Sequence, residues 1–187
     1  MNKKLLAFAL ALPLAVIPAA AQTPVSVPRF DSVELRGGGD VIVRHGPQQR
    51  VTVLRDDARQ AAFDVERGGK LVIRACRTSC RRQHLRVEIV TPDLDAVAIT
   101  GGGSISAQGR FPAGREFAAA ITGGGSIDAR AFAASNVTAA IHGGGRIRTA
   151  PQRHLTAAIH GGGAITYTGD PRTTVAINGG GAVTRDR

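Results

Sequence analysis

Apolar residues alternate with polar or small residues over short stretches along most of the chain. Residues 137–141 read Val-Thr-Ala-Ala-Ile, and residues 155–159 read Leu-Thr-Ala-Ala-Ile. A spacing of two residues between apolar positions is typical of a β-strand with one face turned inward. Three glycines follow shortly after each stretch, and each glycine costs a helix interior about 1 kcal/mol. The pattern therefore predicts an all-β chain.

The Gly-Gly-Gly triplet marks an internal repeat. The triplets begin at Gly37, Gly101, Gly123, Gly143, Gly161 and Gly179. The last five starting positions are 22, 20, 18 and 18 residues apart. A repeat of this length predicts a single-domain parallel β-helix or solenoid, in which each turn stacks on the previous one. The triplets then become corners that need a positive φ or a close approach between turns.

Two apolar positions recur at the same offsets around the last five triplets. The first series is Ile99, Ile121, Ile141, Ile159 and Ile177, and the second is Ile105, Ile127, Ile147, Ile165 and Val183. Stacked turns would bring each series into one buried column, with neighbours about 4.8 Å apart. We expect these two columns to fill the interior.

Residues 41–92 are less regular. They contain five predicted strands at 41–44, 51–54, 62–66, 71–75 and 85–90. Turn signals rich in glycine, proline and aspartate separate these strands. The region is predicted to be either irregular turns of the same solenoid or an antiparallel cap that closes its end.

The first 21 residues have the features of a secretory signal peptide. Lys3 and Lys4 precede an apolar run at 5–17, and alanines occupy 19–21. No other segment approaches transmembrane length. We therefore expect an exported protein, in the periplasm or at the cell surface, that has no transmembrane segment once the signal peptide is cleaved.

The chain is basic, and its positive charge is concentrated in one segment. The formal net charge is +10, from 24 basic and 14 acidic residues. The 13 residues from 74 to 86 contain no acid. Their arginines are Arg74, Arg77, Arg81, Arg82 and Arg86. This segment could bind an anionic envelope glycan or lipopolysaccharide through bidentate contacts, or it could be a solvated edge that resists aggregation.

The two cysteines lie close together in the same segment. Cys76 and Cys80 are the only cysteines in the chain. An even number of cysteines in an exported protein predicts a disulfide. The alternative, a metal pair, lacks a second Cys-x-x-Cys motif, and His84 is the only histidine nearby.

His142 and His160 precede successive triplets at the same offset. In a solenoid they would stack with Thr100, Thr122 and Asn178. We interpret this row as a polar ladder along the stack. A metal site built on the two histidines is the weaker interpretation, because the repeat supplies no carboxylate to orient them.

Enzyme motifs are missing from the sequence. There is no Gly-x-Ser-x-Gly, no His-Glu-x-x-His and no phosphate-binding Gly-Lys-Ser/Thr after a triplet. We predict a protein that is not an enzyme and needs no cofactor. Aromatic residues make up only 4% of the chain, which disfavours nucleic acid as a partner because single strands are bound by stacking.

Three motifs together resemble the bacterial head GIN domain family. They are Phe30-Asp31-Ser32-Val33, the segment Val-Glu-Ile-Val-Thr-Pro-Asp-Leu at 87–94, and glycine-rich repeats such as Ile-Thr-Gly-Gly-Gly-Ser-Ile at 99–105. The family is known as auto-transporter adhesin heads of unknown function. The resemblance implies a β-helical fold and carries over no catalytic residues.

The resemblance completes the predicted organisation of the chain. A signal peptide at 1–21 is followed by a short segment at 22–28, a head GIN-like β-solenoid domain at 29–184 and a charged tail at 185–187. The leading hypothesis is a non-catalytic envelope or surface module that binds through its sheet faces or its arginine-rich segment. The alternatives are an enzyme or accessory protein acting on envelope polysaccharide, and a structural protein that assembles end to end.

Overall fold

The computed structural model describes residues 22–57, 59–76 and 84–186. The predicted signal peptide lies outside these residues. Within them the regular structure consists of seventeen β-strands, which confirms the all-β prediction. The strands are β1 Thr23–Val25, β2 Ser32–Gly37, β3 Asp40–His45, β4 Arg50–Asp56, β5 Ala62–Glu66, β6 Lys70–Arg74, β7 Leu85–Thr91, β8 Ala96–Gly101, β9 Ser104–Gln108, β10 Gly114–Gly123, β11 Ser126–Asp128, β12 Ala134–Gly143, β13 Arg146–Thr149, β14 His154–His160, β15 Ala164–Tyr167, β16 Arg172–Asn178 and β17 Ala182–Arg185.

The strands form two sheets. The nine-stranded sheet has the order β1-β4-β7-β3-β9-β11-β13-β15-β17, and the eight-stranded sheet has the order β16-β14-β12-β10-β8-β2-β6-β5. From β8 onward the chain alternates between the two sheets. No helix in the described part of the chain is long and apolar enough to cross a membrane.

The repeats pair in parallel and in register. Ile121 of β10 lies opposite Ile99 of β8 on one side and Ile141 of β12 on the other. Ile159 and Ile177 continue this column. The second predicted column, from Ile105 to Val183, is formed in the same way in the nine-stranded sheet. Isoleucines of both columns are at most 2% exposed from Ile99 to Ile165, so they form the core between the sheets.

The glycines of a triplet have three different environments, shown here by residues 143–145. Gly143 has a φ of +127°, and a Cβ added there would lie 2.5 Å from the carbonyl oxygen of Gly123. A Cβ at Gly145 would lie 2.7 Å from the Cγ2 atom of Ile121. Nothing lies within 4 Å of a Cβ at Gly144. The predicted need for glycine is therefore confirmed at the first and third positions, and the middle position does not share it.

The less regular region contains both parallel and antiparallel strands. All five strands predicted between residues 41 and 92 are present, as β3 to β7. Strands β2, β3, β6 and β7 pair in parallel and extend the two sheets. Strands β1, β4 and β5 are antiparallel additions, and β1 and β5 form the outer edges. We call the end of the molecule formed by β1, β4 and β5 the head end.

Candidate functional site

The outer surface of the eight-stranded sheet has a straight line of polar side chains. Parallel register places them in a row that crosses six strands. The row consists of Arg36, Thr100, Thr122, His142, His160 and Asn178. All except the half-buried Arg36 are exposed. We call this line the polar row; its members from Thr100 to Asn178 form the ladder predicted from the sequence.

Two lines of small side chains run beside the polar row. One contains Ala98, Ala120, Ala140, Ala158 and Ala176, and the other contains Ala96, Ala118, Thr138, Thr156 and Thr174. Alanine ends at Cβ and threonine extends only one atom further, so this part of the sheet has little relief. We call these two lines and the polar row together the flat face.

The two histidines of the polar row contact each other. The ring centroids of His142 and His160 are 5.0 Å apart, and the ring planes differ by 12°. This stacked arrangement is the one predicted from the sequence. Their neighbours along the row are Thr122 and Asn178, neither of which is a carboxylate. Within the described ranges no three histidine, cysteine or acidic residues are grouped so as to hold a metal ion.

A cluster of charged residues surrounds Glu34, where the flat face lies nearest to the head end. Glu34 is only 8% exposed. Its Oε1 atom accepts a hydrogen bond of 2.7 Å from Nε of Arg36, and its Oε2 atom lies 2.9 Å from Nζ of Lys70. The hydroxyl of Thr100 also donates to this carboxylate, at 3.2 Å. The cluster therefore connects β2, β6 and β8 through one buried carboxylate.

Contacts within the cluster shift the pKa values of its members. The hydrogen bond from Arg36, which has the largest effect, and the contact with Lys70 together lower the pKa of Glu34 from 4.5 to about 2, against the opposing effect of burial. The same contacts raise the pKa values of Arg36 and Lys70. All three groups are therefore charged at neutral pH.

The structure describes two of the five arginines of the predicted anion-binding segment and places them in different sheets. Arg74 lies in the eight-stranded sheet, where it forms an ion pair with Asp64 and lies 3.7 Å from Glu66. Arg86 lies in the nine-stranded sheet opposite Asp40. The other three, Arg77, Arg81 and Arg82, lie outside the described residues. Anion binding by the segment therefore stays a prediction, with Arg74 already in contact with carboxylates.

The arginine-rich segment begins and ends at the glycine corner. A Cβ added at Gly37 would lie 3.4 Å from Cβ of Ala75, and one at Gly39 would lie 3.0 Å from Cβ of Leu85. The segment thus connects the two sheets at the corner where the triplets connect them elsewhere. Cys76 belongs to this connection. Cys80 lies outside the described residues, so the Cys76–Cys80 disulfide stays a prediction.

Two cavities at another connection share a pair of aspartates. Cavities of about 430 and 570 Å³ are both lined by Asp93, Leu94 and Asp95. Asp93 accepts the backbone N–H of Leu94 at 2.8 Å, which is a turn contact. Burial raises the pKa of Asp95, and the nearby Asp93 and Asp31 raise it further. Sequence reasoning did not identify this site, because its residues lie in connections that do not repeat.

One solved structure shares the fold at low sequence identity, and two others show a weaker similarity. A protein from Bacteroides fragilis described as a putative adhesin is 13% identical, with a TM-score of 0.55 over 89% of this chain and 96% of that chain. A putative adhesin from Parabacteroides merdae is 16% identical, with a TM-score of 0.42 over 89% and 96%. A putative cell adhesion protein from Clostridium sporogenes is 12% identical, with a TM-score of 0.38 over 88% and 97%. No curated protein matches the chain.

The family resemblance read from the sequence is confirmed by a family profile. The profile matches residues 29–115 and 112–171. These ranges include β2, which is the first strand of the eight-stranded sheet in chain order, together with the charged cluster and most of the glycine repeats. The chain therefore belongs to the family described as "Putative auto-transporter adhesin, head GIN domain".

Proposed function

We propose that this chain is an exported, non-enzymatic module of the cell envelope or cell surface that binds an extended partner through its flat face. The observation that carries the proposal is the in-register polar row beside two lines of small side chains. Membership of an adhesin family supports a binding role. We also propose that the glycine repeats wind as one parallel β-solenoid.

The geometry of the flat face suits a long, repetitive partner. Neighbouring members of the polar row are one strand spacing apart, about 4.8 Å. Their side chains offer hydrogen-bond donors and acceptors at regular intervals. A polymer lying along the row could therefore make several weak contacts at once, and linked weak contacts give high overall affinity.

The partner class we propose is an anionic envelope glycan or lipopolysaccharide. The formal net charge of +10 favours an anionic partner over a neutral one. Arg36 begins the polar row close to the corner where the arginine-rich segment attaches. An anionic polymer on the flat face would thus extend toward that segment, where guanidinium groups suit phosphate, sulfate or carboxylate.

A second candidate function follows from the aspartates of the two cavities. Asp93 and Asp95 line both cavities, and a raised pKa in one of two neighbouring carboxyl groups is a feature of glycan-cleaving enzymes. We rank this candidate below binding, because the carboxylate of Asp93 is occupied by the Leu94 amide. Release of soluble sugar from envelope polysaccharide, lost in Asp95→Asn, would favour the enzyme.

Binding through the flat face is tested with one substitution placed on each sheet. Thr156 lies on the flat face, and Thr166 of the same repeat lies in the nine-stranded sheet at an outward position. We expect Thr156→Glu to weaken binding of the purified protein to immobilised lipopolysaccharide by about tenfold or more. We expect Thr166→Glu, which adds the same charge, to change binding by less than about twofold.

The results test the binding surface and the ligand class independently. Equal losses in the two variants would contradict the flat face as the binding surface. Equal binding of wild type to lipopolysaccharide, an acidic polysaccharide and neutral dextran would contradict an anionic partner. Increasing salt should weaken the binding, because charge attraction between exposed groups is screened.

A further inference from the structure

Strands β16 and β17 end the two sheets with an apolar surface that other repeats bury. We call this end of the molecule the tail edge. Val175 and Ile177 are 45% and 44% exposed. Their partners one repeat earlier, Ala157 and Ile159, are 1% and 0% exposed. The tail edge is therefore a cross-section through the core, with Val175 and Ile177 exposed and Val183 half-buried.

The tail edge also presents unpaired backbone groups. Among the strands that the structure describes, β16 and β17 each have a partner on one side only. The free side of an edge strand carries N–H and C=O groups that can pair with another strand. Every residue of β16 is exposed. An edge with both free hydrogen-bonding groups and apolar side chains is suited to pairing with a further strand.

We propose that two copies of this chain associate through their tail edges as a closed dimer with twofold symmetry. Strand β16 pairs antiparallel with β16 of the second copy, and β17 pairs in the same way with β17. A twofold axis that runs through both sheets allows the two pairings to form together. Val175, Ile177 and Val183 then meet the apolar edge of the other copy. The inference does not depend on the proposed binding function.

The positions of charged residues favour antiparallel pairing of identical copies. The one charge in β16, Arg172, is at its first residue, and the one charge in β17, Arg185, is at its last residue. Antiparallel pairing therefore places each arginine far from its counterpart, whereas parallel pairing would stack like charges. Asp170 and Asp186 balance the two arginines, so residues 168–186 have no net charge in an otherwise basic protein.

The head end is not suited to meet the tail edge, which argues for a closed dimer over an end-to-end filament. Strand β1 includes Pro24, which has no N–H to donate, and proline is a common protection of edge strands. Strand β5 carries Asp64 and Glu66, both in contact with basic residues of their own chain. Isologous pairing covers the tail edges of both copies and leaves the protected head ends outward.

Analytical ultracentrifugation of the purified protein, expressed as the full chain, tests this inference. We expect a dimer at a total concentration of about 10 µM, with dissociation into monomers on dilution. The double substitution Val175→Lys/Ile177→Lys places charges on the apolar part of the tail edge. We expect it to raise the dimer dissociation constant by about 100-fold.

A matched variant and a second measurement distinguish loss of the dimer from loss of folding. Thr156→Lys/Ala158→Lys adds the same charges to the flat face one strand away, and we expect the dimer to persist. Hydrogen exchange of the wild-type protein should show amides on the free side of β16 becoming slower as concentration rises. A wild-type monomer at all concentrations, growth into larger species, or equal dissociation of both variants would overturn the inference.

Discussion

The head region, β1 to β7, and the repeat region, β8 to β17, build the same two sheets by different means. In the repeat region each strand pairs in parallel with the equivalent strand of the previous repeat. In the head region β2 lies between β6 and β8, four and six strands further along the chain, whereas neighbouring strands of the repeat region are always two strands apart in the chain. Repetition fixes register by matching like residues, whereas the head region must fix it with contacts specific to each pair.

The two regions also differ in what holds adjacent strands together. The repeat region relies on buried columns and on glycine corners that touch the previous repeat. The head region adds ion pairs around Glu34 that join β2 to β6 and, through Glu66, to β5. The difference indicates that apolar burial dominates stability in the repeats, with a smaller, pH-dependent contribution from charge in the head region.

Truncating a column in the middle of the stack should cost the most stability. Ile141 is 0% exposed and has isoleucines on both sides. We expect Ile141→Ala to lower the free energy of unfolding by about 4 kcal/mol, because it leaves a cavity in a packed core. Ile177→Ala, in the same column at the tail edge, should cost about 1 kcal/mol in dilute protein. Urea unfolding measures both; equal costs would contradict the column as the source of stability.

A glycine corner should be the next most sensitive feature. Gly143→Ala forces a Cβ to within 2.5 Å of a backbone oxygen at a φ of +127°. We expect a loss of about 3 kcal/mol from the strain and the displaced carbonyl. The adjacent Gly144→Ala meets open space and should change stability by less than about 1 kcal/mol. Similar losses at both positions, measured by thermal unfolding, would show that the corner does not pack as described.

A smaller, pH-dependent effect is expected in the head region. The pKa of Glu34 is lowered to about 2, so its charged form stabilises the fold at neutral pH, and this contribution disappears as pH falls from about 4.5 to about 2. We expect Glu34→Gln to be about 2 kcal/mol less stable at pH 7, since its partners are partly exposed and screened by water. The difference from wild type should vanish near pH 2.

The control for this prediction is another ion pair on the opposite sheet. Glu88 lies 3.0 Å from the more exposed Arg44. Glu88→Gln should cost less than about 0.5 kcal/mol at pH 7. If the gap between Glu34→Gln and wild type persisted unchanged at pH 2, the loss would come from packing and not from charge.

The sequence predicted the repeat region in more detail than the head region. The columns through Ile141 and Ile147 and the stacked His142 and His160 followed directly from equal spacing around the triplets. In the head region the strands were predicted but their order was not, because no repeat indicates that β2 pairs with β6. The carboxylate partners of Arg74 were missed for the same reason: the hairpin of β5 and β6 places Ala62 opposite Arg74, and Asp64, two residues further along β5, forms the ion pair.

The burial of aromatic residues outside the repeated positions was also not predicted from the sequence. Phe111 and Phe132 lie in connections between strands, yet they are 3% and 4% exposed and their rings are 4.3 Å apart. Period-two alternation identifies inward residues of strands only. It contains no information on side chains that fold back from a loop, so the part of the core beneath the connections was not predicted.

Head strands and repeats share one in-register sheet, and a single distance tests this arrangement. Ser32 of β2 and Thr156 of β14 lie in one line, four strands apart, or about 19 Å. Spin labels at Ser32→Cys and Thr156→Cys, in protein diluted with unlabelled chains, should give one narrow distance distribution near about 20 Å by pulsed electron resonance. A broad distribution, or a principal distance beyond about 30 Å, would contradict the shared sheet.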